Sequence, residues 1–571
     1  MDFRTFFAAI NKDQDGSTFA PRAKKARKPH GTPKTRILIS LAITLVFGLI
    51  YFYIELPAIN IHATELYWFL FLLCAVFCVA MTLLSGFSPD KGTGYINNAR
   101  RNMAVPFYIA CAIGAVFVIG SLAGAVIFRA KAYSELLPIQ NGDFAEDIAE
   151  INWEQVPMLD EDSANNLANR KLGELSDLVS QFTVSDSSAQ INLHGAPVRV
   201  SYLNYDNFFK WLSNRSEGIP AYMTVDMVTQ EVTVVRMEEG IKYSPSEYFG
   251  RDLYRHLRFK YPTLIFDDVN FEVDENGTPF WIATVVTKTI GLFGGTDCTG
   301  AVLVNAVTGE CQYYDMESVP TWVDRVFPSD LVISQYDYYG VYHNGFWNSL
   351  FVQADCTETT AGYNYIALDD DVWLYTGITS VSDDRGNIGF ILVNQRTKEA
   401  KYYSCAGAEE FSAMDSAEGA VQQYSYDATF PLLLNVSDQP TYFMALKDAA
   451  GLVKMYALVN VQQYQIVATG SSIEACREKY HELMISGGII KDDVGERPDA
   501  VTVTSDVTDI RSAVSGGETV YYFLLNGYEP YFTVYASDFP EAVITSVGDS
   551  VTVTYIPSEQ SIIKATAFER N

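Results

Sequence analysis

The sequence is poor in the residues from which catalytic and metal centres are usually built. It has 6 histidines and 8 cysteines among 571 residues, and no two cysteines form a CxxC pair. The stretch around His481 lacks the second histidine of a zinc-protease helix. Nucleophile-elbow, phosphate-loop and dinucleotide fingerprints are absent as well. We therefore expect a chain that is not an enzyme and that holds no cofactor.

Disulfides are not the framework of this chain. Cys74, Cys78 and Cys111 lie in apolar runs, where a thiol packs as a small hydrophobic group. Five cysteines follow in the acidic part of the chain: Cys298, Cys311, Cys356, Cys405 and Cys476. An odd number leaves at least one thiol unpaired, and the spacing leaves one or two disulfides open.

Charge is missing from three long apolar runs near the N-terminus. None contains Asp, Glu, Lys, Arg or His, which disfavours a transporter or pump, because ion and proton pathways need such groups. At about 1.5 Å per residue each run reaches roughly 27 Å or more, about the thickness of a hydrocarbon core. We predict three transmembrane helices from these runs, at residues 37–54, 66–84 and 104–128. Gly120 and Gly124 in the third run form a GxxxG spacing, which predicts self-association.

The charge that is present is divided sharply along the chain. Residues 1–131 carry a net charge of +8, and residues 132–571 carry −37. Nine Lys and Arg residues lie in 1–36 and three in the 85–103 loop, whereas two follow the third run. Because Lys and Arg concentrate in cytoplasmic loops, we predict a cytoplasmic N-terminal tail and a body outside the cytoplasm. The basic tail is expected to contact anionic lipid heads.

An internal repeat is the most informative feature of the acidic body. Residues 300–314 align without a gap on residues 389–403, with eight identities. In both segments an apolar strand stops at an asparagine (Asn305 or Asn394), and a Thr-x-Glu segment reverses the chain before a strand that ends in a tyrosine pair. With helices expected at 244–260 and 472–484, the pattern predicts tandem α+β units, each a helix on a short antiparallel sheet.

The order helix, strand, then strand-Asn/Asp-x-x-Thr-Gly-Glu-strand resembles PepSY domains, small cystatin-like modules of bacterial envelope proteins. The matching residues are Asp226, Thr229 and Glu231, then Asn305, Thr308, Gly309 and Glu310, then Asn394, Thr397 and Glu399. The third unit has Lys398 where the pattern prefers glycine, and the fourth has Gln463 and Gln465. The resemblance covers about 205–485 and implies non-catalytic modules that dock on or restrain partner proteins. The whole chain also resembles long membrane proteins of Gram-positive bacteria, which implies a bacterial cell membrane.

The end of the chain has a different pattern. Five strands are predicted there, at 501–510, 519–525, 531–536, 546–556 and 562–568. Five strands with turns at Gly-Gly, Asn-Gly and Gly-Asp are similar to an OB-fold barrel. OB-folds often bind single-stranded nucleic acid, but the bases here are Arg511, Lys564 and Arg570 alone. Because attraction to phosphate is missing, we expect no nucleic-acid partner.

Two clusters in the body are candidate binding sites. Asp369, Asp370 and Asp371 would supply hard oxygen ligands to a cation such as calcium, and a solvated acidic loop is the competing interpretation. Six aromatic residues crowd the segment before the third unit: Tyr336, Tyr338, Tyr339, Tyr342, Phe346 and Trp347. Exposed, they would stack on glycan or grip a partner protein; alternating on strands, they would form core.

These features predict a membrane-anchored α+β protein with three transmembrane helices, tandem PepSY-like units and a five-stranded OB-like barrel. The expected segments are 1–36 (basic tail), 37–131 (helices), 132–204 (juxtamembrane α/β segment), 205–485 (repeats), 486–500 (linker) and 501–571 (barrel). The predicted function is a non-enzymatic scaffold or regulator that binds the bilayer and an envelope protein. The alternative is a sensor or binding protein for an envelope glycan, peptide or cation. A hydrolase would need a paired acid and base that the sequence does not show.

Overall fold

The structure, a computed structural model, divides the chain into two compact units at Tyr480/His481. It describes residues 31–85, 94–153, 156–368, 371–381, 386–490, 501–515, 518–536, 539–555, 557 and 561–571. Residues 1–30 of the predicted basic tail and residues 491–500 of the predicted linker lie outside these residues.

Three helices near the N-terminus are long and apolar enough to cross a membrane, as predicted. They are α1 (Pro33–Glu55), α2 (Thr64–Ser85) and α3 (Gly94–Ala123). The third ends five residues before the predicted end at 128, so that boundary was wrong. The chain breaks at Gly124, whose carbonyl accepts a hydrogen bond from the Tyr133 hydroxyl (2.8 Å), and α4 (Val126–Ser134) begins.

Four modules of one plan follow, each a helix with an antiparallel meander. After β1 (Ile139–Asn141) and α5 (Phe144–Asp147), module 1 contains α6 (Glu161–Gly173), α7 (Ser176–Val179), β2 (Phe182–Leu193), β3 (Ala196–Tyr205), α8 (Phe208–Asn214), β4 (Ile219–Asp226) and β5 (Val232–Ile241). Module 2 contains α9 (Leu253–Lys260), β6 (Ile265–Val273), β7 (Pro279–Ile290), β8 (Gly294–Asn305) and β9 (Cys311–Asp315). The first sheet therefore includes strands from the segment that the sequence assigned to 132–204.

Modules 3 and 4 repeat the plan with an extra short strand. Module 3 contains α10 (Ser329–Tyr342), β10 (Thr357–Thr359), β11 (Asn364–Leu368), β12 (Asp371–Ser380), β13 (Gly386–Asn394) and β14 (Ala400–Ala408). Module 4 contains α11 (Glu410–Ala420), β15 (Asp427–Ala428), β16 (Leu432–Val436), β17 (Gln439–Lys447), β18 (Val453–Asn460) and β19 (Val467–Gly470), and α12 (Ile473–Ser486) follows. β1 joins the third sheet parallel to β14.

The helix expected at 244–260 is shorter than predicted. Only Leu253–Lys260 is α-helical, because Asp252, not Ser244, caps it: the Asp252 carboxylate accepts the Arg255 N–H (2.9 Å). A single 3₁₀ turn (Phe249–Arg251) precedes the cap.

The last hairpins of modules 1, 2 and 3 turn in the same way, as the repeat predicted, whereas the turn of module 4 is one residue longer. The Asn305 side-chain oxygen accepts the N–H groups of Val307 (3.0 Å) and Thr308 (2.9 Å), and the Thr308 hydroxyl accepts the Glu310 N–H (3.2 Å). Asp226 and Asn394 bond to the two corresponding N–H groups at 2.8 to 2.9 Å. These side chains mimic a backbone turn, which explains why Asn or Asp stands there.

The residue after each turn asparagine or aspartate makes a second kind of contact, which recurs in all four modules. Its N–H donates to a carbonyl at the start of the neighbouring strand, and its own carbonyl accepts from the segment that leads into the module's helix. In module 2, the Ala306 N–H donates to Pro279 (3.0 Å), and the Ala306 carbonyl accepts from Tyr243 (3.0 Å). The equivalent residues in the other modules are Met227, Gln395 and Val461, and all four are buried. Each module is thus closed by a main-chain junction between its last hairpin and its entry segment.

Neighbouring modules share apolar cores and polar bridges. Strands of modules 1 and 2 pack into one core around Tyr222 and Trp281, and modules 2 and 3 share another around Ile282 and Leu374. Module 4 returns to the start of module 1, where the Lys447 ammonium bonds the Asp160 carboxylate (2.6 Å).

The second unit is a closed five-stranded barrel, which fits the OB-like prediction. Its strands are β20 (Val501–Ser515), β21 (Glu518–Leu525), β22 (Tyr531–Tyr535), β23 (Ser550–Tyr555) and β24 (Ile562–Arg570), in the order β20-β21-β22-β24-β23. The basic side chains are engaged: Arg511 pairs with Asp509 (3.0 Å), and Arg570 pairs with Asp549 (2.9 Å).

Candidate functional site

Module 2 is attached to the ends of the apolar helices. The Arg258 guanidinium of α9 donates to the Leu56 carbonyl just past α1 (2.8 Å), and Arg255 donates to the Tyr53 carbonyl (3.2 Å). Arg255 also lies 4.3 Å from the centre of the Tyr53 ring. In the loop after α1, the Ile59 N–H donates to the Pro262 carbonyl (2.8 Å). Four contacts at one place join the body to the helices.

A second attachment is the tight turn between β7 and β8, residues 291–293, here called the docking turn. The Phe293 ring lies 5.1 Å from both the Tyr67 ring and the Phe117 ring, and His62 Nδ1 lies 2.9 Å from the Leu292 carbonyl. The glycines of the GxxxG spacing face this turn: Gly120 lies against Leu292, and Gly124 lies against the Ile290 carbonyl. The surface on which self-association was predicted is covered within the chain, so association there would require the docking turn to leave.

The aromatic segment is a helix, and the expectation of strands was wrong. Tyr338, Tyr342 and Phe346 follow at intervals of four residues and stack at 6.2 and 6.4 Å between ring centres, which is one face of α10 and its continuation. Tyr336 is 2% exposed, and Tyr339 is half-buried. Of the six aromatic residues predicted to bind a partner, only Trp347 is mostly exposed, at 61%.

A group of exposed apolar side chains, which sequence reasoning missed, lies at the end of the aromatic segment. Trp347 stacks on Phe351 (5.9 Å), and Leu350, Phe351 and Val352 are 55%, 73% and 71% exposed. These four residues are called the apolar tip. Its sequence signal is residues 338–354, an aromatic-rich stretch without Asp, Glu, Lys or Arg.

Of the three aspartates predicted to bind a cation, the structure describes one, Asp371, and that carboxylate is paired with an arginine. Asp369 and Asp370 lie outside the described residues. Asp371 forms a bidentate pair with Arg396, at 2.7 and 2.8 Å, and accepts a hydrogen bond from Asn394 (2.8 Å). Its carboxylate therefore fastens β12 to the turn of module 3. In the described part of the chain, no three His, Cys, Asp or Glu side chains are grouped to hold a metal ion.

An open cleft of about 570 Å³ lies between α6 and module 4. Carboxylates, amides and one lysine dominate its lining, which includes Asp162, Asn165, Asn166, Asn169, Asp186, Asp427, Lys447 and Asp448. The Asn165 amide donates to the Asp186 carbonyl (2.9 Å), whereas its buried oxygen has no partner. Such a surface suits the hydroxyl groups of a sugar or the N–H groups of a peptide.

The most deeply buried carboxylate is used structurally. Glu272 is fully buried and accepts the N–H groups of Asp324 (3.0 Å) and Arg325 (3.1 Å), while Arg325 bonds the Tyr365 hydroxyl (2.9 Å). Burial raises the pKa of Glu272. A raised pKa is common in catalytic acids, but this carboxyl faces the main chain, not a cleft.

Titratable side chains do meet in pairs elsewhere in the described body: His194 Nε2 lies 3.3 Å from the exposed Glu275 carboxylate, and the buried Glu247 carboxylate accepts a hydrogen bond from the Tyr205 hydroxyl (3.1 Å). Among the described histidines, the His256 ring contacts the Gly309 carbonyl (2.8 Å), and the His194 ring contacts the Glu275 carbonyl (3.1 Å). The five body cysteines are free and buried, so the disulfides left open by the sequence do not form. Burial raises the pKa of Cys298 and Cys476 to about 12 and that of Cys405 to about 11, which keeps these thiols protonated and unreactive.

No protein-family model and no curated protein matches this chain.

Proposed function

We propose that this chain is a non-enzymatic, membrane-anchored scaffold or regulator of the bacterial cell envelope. Its acidic body lies outside the cytoplasm and binds an envelope protein. The observation that carries the proposal is the attachment of module 2 to the ends of the apolar helices through Arg255, Arg258 and the docking turn. These contacts hold a large β-rich surface at one face of the membrane that α1–α3 cross.

The other parts of the proposal rest on the charge distribution of the sequence, on the shared turn and on the contacts of the titratable side chains. The twelve-to-two division of Lys and Arg supports a cytoplasmic N-terminus and an extracytoplasmic body. The common turn supports a PepSY-like assignment for the modules, and such modules act on partner proteins without chemistry of their own. The engaged histidines, thiols and buried carboxylates support the absence of turnover.

Orientation is tested with single added cysteines and a membrane-impermeant maleimide. We expect Gln422→Cys, on the surface of module 4, to react in intact cells, and Ser17→Cys, in the N-terminal tail, to react only after lysis. The unaltered chain is the control, because its body cysteines are buried. The reverse labelling pattern would overturn the proposed orientation.

Partner binding is tested by photo-crosslinking in living cells. A photoreactive amino acid is placed at the exposed Phe411, Tyr424 or Tyr464, and at the buried Tyr442 as the matched control. We expect a reproducible adduct with one envelope protein from a surface position and none from Tyr442. Failure of all three surface positions argues against a partner on module 4. Turnover of peptide, glycan or phosphoester by the purified full chain would overturn the non-enzymatic assignment.

The cleft beside α6 favours the alternative, a binding protein for an envelope glycan or peptide. Oligomers of N-acetylglucosamine and a short cell-wall peptide are suitable probes for calorimetry with the full chain in nanodiscs. Binding that is lost in Asn166→Ala but kept in Asn276→Ala, on the turn between β6 and β7, would favour this second function.

A further inference from the structure

The apolar tip protrudes from the end of α10. The chain leaves the helix at Tyr342 and returns at Cys356, whose thiol donates to the Val341 carbonyl (3.5 Å). Residues 343–355 therefore project beyond the helix end. Trp347, Leu350, Phe351 and Val352 are the large apolar side chains exposed on this projection. A contiguous exposed group of this kind marks an interaction surface.

The position of α10 relative to β8 gives the direction in which the tip points. The docking turn lies against Gly120 of α3, and β8 leads away from it through Gly294, Thr296 and Asp297. The Gln335 amide of α10 bonds the Thr296 carbonyl (2.8 Å). Thr296 is therefore farther from the apolar helices than the docking turn is.

The two ends of α10 lie at different distances from the apolar helices. Just before the helix, the Phe327 ring lies 5.7 Å from the Lys398 ammonium, which bonds the Leu136 carbonyl (2.8 Å) and Asp297 (2.5 Å). Further along, the Tyr338 ring lies 4.9 Å from the Tyr133 ring.

Tyr133 in turn bonds the Gly124 carbonyl at the end of α3. Hence α10 runs from the level of Asp297 back towards the end of α3, and its C-terminal end faces the apolar helices. At about 1.5 Å per residue, the helix extends roughly 10 Å from Gln335 to Tyr342 in this direction.

Composition agrees with this direction. Residues 338–354 contain no Asp, Glu, Lys or Arg, in a part of the chain whose net charge is −37. At the start of α4, the neighbouring Phe128 is 69% exposed, and Ile127 is 42% exposed. Trp next to aliphatic and aromatic side chains is typical of segments seated at the boundary between headgroups and acyl chains.

We propose that the apolar tip inserts into the outer leaflet of the bilayer that α1–α3 cross, as a lipid-facing anchor beside the third helix. The occupant is lipid because α10 runs towards the end of α3, so that its apolar tip follows on the side where Ile127 and Phe128 of α4 are also exposed. The inference rests on the proposed membrane crossing. With the docking turn on one side of α3 and the tip beside it, the body is held against the membrane surface as well as tethered to it.

Nitroxide labels on the full chain in nanodiscs of phosphatidylethanolamine and phosphatidylglycerol test the proposal. The label is placed by Phe351→Cys, and separately by Val352→Cys in case one variant folds poorly. Ser334→Cys is the matched control, because Ser334 is exposed on the same helix, roughly 12 Å from its membrane-facing end. Leu45→Cys, in the middle of α1, reports the membrane crossing itself. The unaltered chain gives the background from native thiols.

We expect the labels at 351 and 352 to collide with oxygen in preference to a water-soluble nickel chelate, as at 45, and the label at 334 to show the reverse. A chelate-accessible label at 351 and 352, together with a lipid-exposed label at 45, would overturn the proposal and leave the membrane crossing intact. Protection from both reagents would also overturn it, because the tip would then be covered by protein. A chelate-accessible label at 45 would overturn the membrane crossing and the proposal with it.

Discussion

Asn305 and Asn394 each hold two main-chain N–H groups inside a tight turn, and Asp226 does the same in module 1. The turn therefore requires one side-chain oxygen, Oδ1. The other terminal atom of the side chain can be the amide nitrogen of Asn or the second carboxylate oxygen of Asp. In module 3 the amide nitrogen of Asn394 is used as well, because it bonds Asp371.

We expect Asn305→Ala to lower the free energy of unfolding by about 1–3 kcal/mol, because two N–H groups lose their acceptor. Asn305→Asp keeps the oxygen and is the matched control, since Asp226 already makes this turn. Chemical unfolding of the full chain in detergent, followed by the near-ultraviolet signal of module 2, measures the difference. Equal losses in both variants would contradict the role assigned to the oxygen.

Sequence reasoning found these turn residues because the turn requires a particular side chain. It did not find Ala306, Gln395, Met227 and Val461, which close the modules, because their contacts use the main chain and place no demand on residue type. Lys398 illustrates an exception to the pattern. It adopts the left-handed conformation (φ +67°) that favours glycine, and its ammonium bonds Leu136 and Asp297 at the junction between modules. The tertiary contact explains a lysine there, and no local pattern predicts it.

Glu410 gives the body a dependence on pH. It is 0% exposed, it accepts the Gly377 N–H (2.7 Å), and burial raises the pKa of its carboxyl. At intermediate pH the folded chain keeps a proton that the unfolded chain has released, so stability falls as pH rises from the ordinary carboxyl range through the raised pKa. We expect Glu410→Gln to remove this fall, and therefore to gain stability over the unaltered chain at neutral pH but not at pH 4. Glu478→Gln, at an exposed position, is the control, and parallel pH profiles for all three chains would contradict the assignment.

Among the secondary-structure elements, the hairpin β7–β8 joins the apolar helices to the modules of the first unit. Its strands belong to the sheet of module 2, and its turn lies among α2, α3 and the loop at His62. Gly124 is required at this contact because a side chain there would meet the Ile290 carbonyl.

We expect Gly124→Val to displace the docking turn at a cost of about 1–3 kcal/mol, the usual penalty for overpacking. Hydrogen exchange of residues 288–296 should speed up in this variant. Gly114→Val is the matched control, because Gly114 lies in α3, ten residues before Gly124, and a side chain there meets open space. Unchanged exchange in Gly124→Val would show that the turn is not held by this contact.

The aromatic segment shows where a periodicity misleads. Tyr336, Tyr338 and the residues after them alternate closely enough to read as a strand, and the four-residue spacing of Tyr338, Tyr342 and Phe346 fits a helix equally well. The helix forms because Tyr336 and Val332 then enter the core shared by modules 2 and 3, while the Tyr338 ring packs edge-on against the Tyr133 ring. Tertiary packing decided between two patterns that the sequence carries together.

In the molecule as a whole, the four modules form a circuit, because module 4 contacts module 1 as well as module 3. The Lys447–Asp160 pair closes it, and the Gln230 amide adds a bond to the Tyr456 hydroxyl (3.3 Å). Burial alone would raise the pKa of Asp160, but hydrogen bonds from Lys447 and Ser163 lower it below its ordinary value.

We expect Lys447→Met to lower the free energy of unfolding by about 1–3 kcal/mol at neutral pH, because Asp160 loses a charged partner in a half-buried place. A lowered pKa contributes stability above the ordinary carboxylate range, and this contribution is lost as pH falls through the folded-state value. The difference between the two chains should therefore vanish in acid. Lys454→Met removes the more exposed pair with Asp448 (3.3 Å) and should change little. Equal effects of the two variants would contradict a closing role for Lys447.

The main-chain junctions have a consequence for how the body folds. In every module the entry segment bonds to the residue that follows the last turn asparagine or aspartate, so the first and last parts of a module complete each other. With the orientation proposed above, a module that emerges from a translocation channel has all the partners of its own junction once its final hairpin has passed, without the next module. We therefore expect the modules to close one at a time during export, which limits the sheet edge that is exposed at any moment. The bond between Lys447 and Asp160 is different, because it needs both module 4 and the start of module 1.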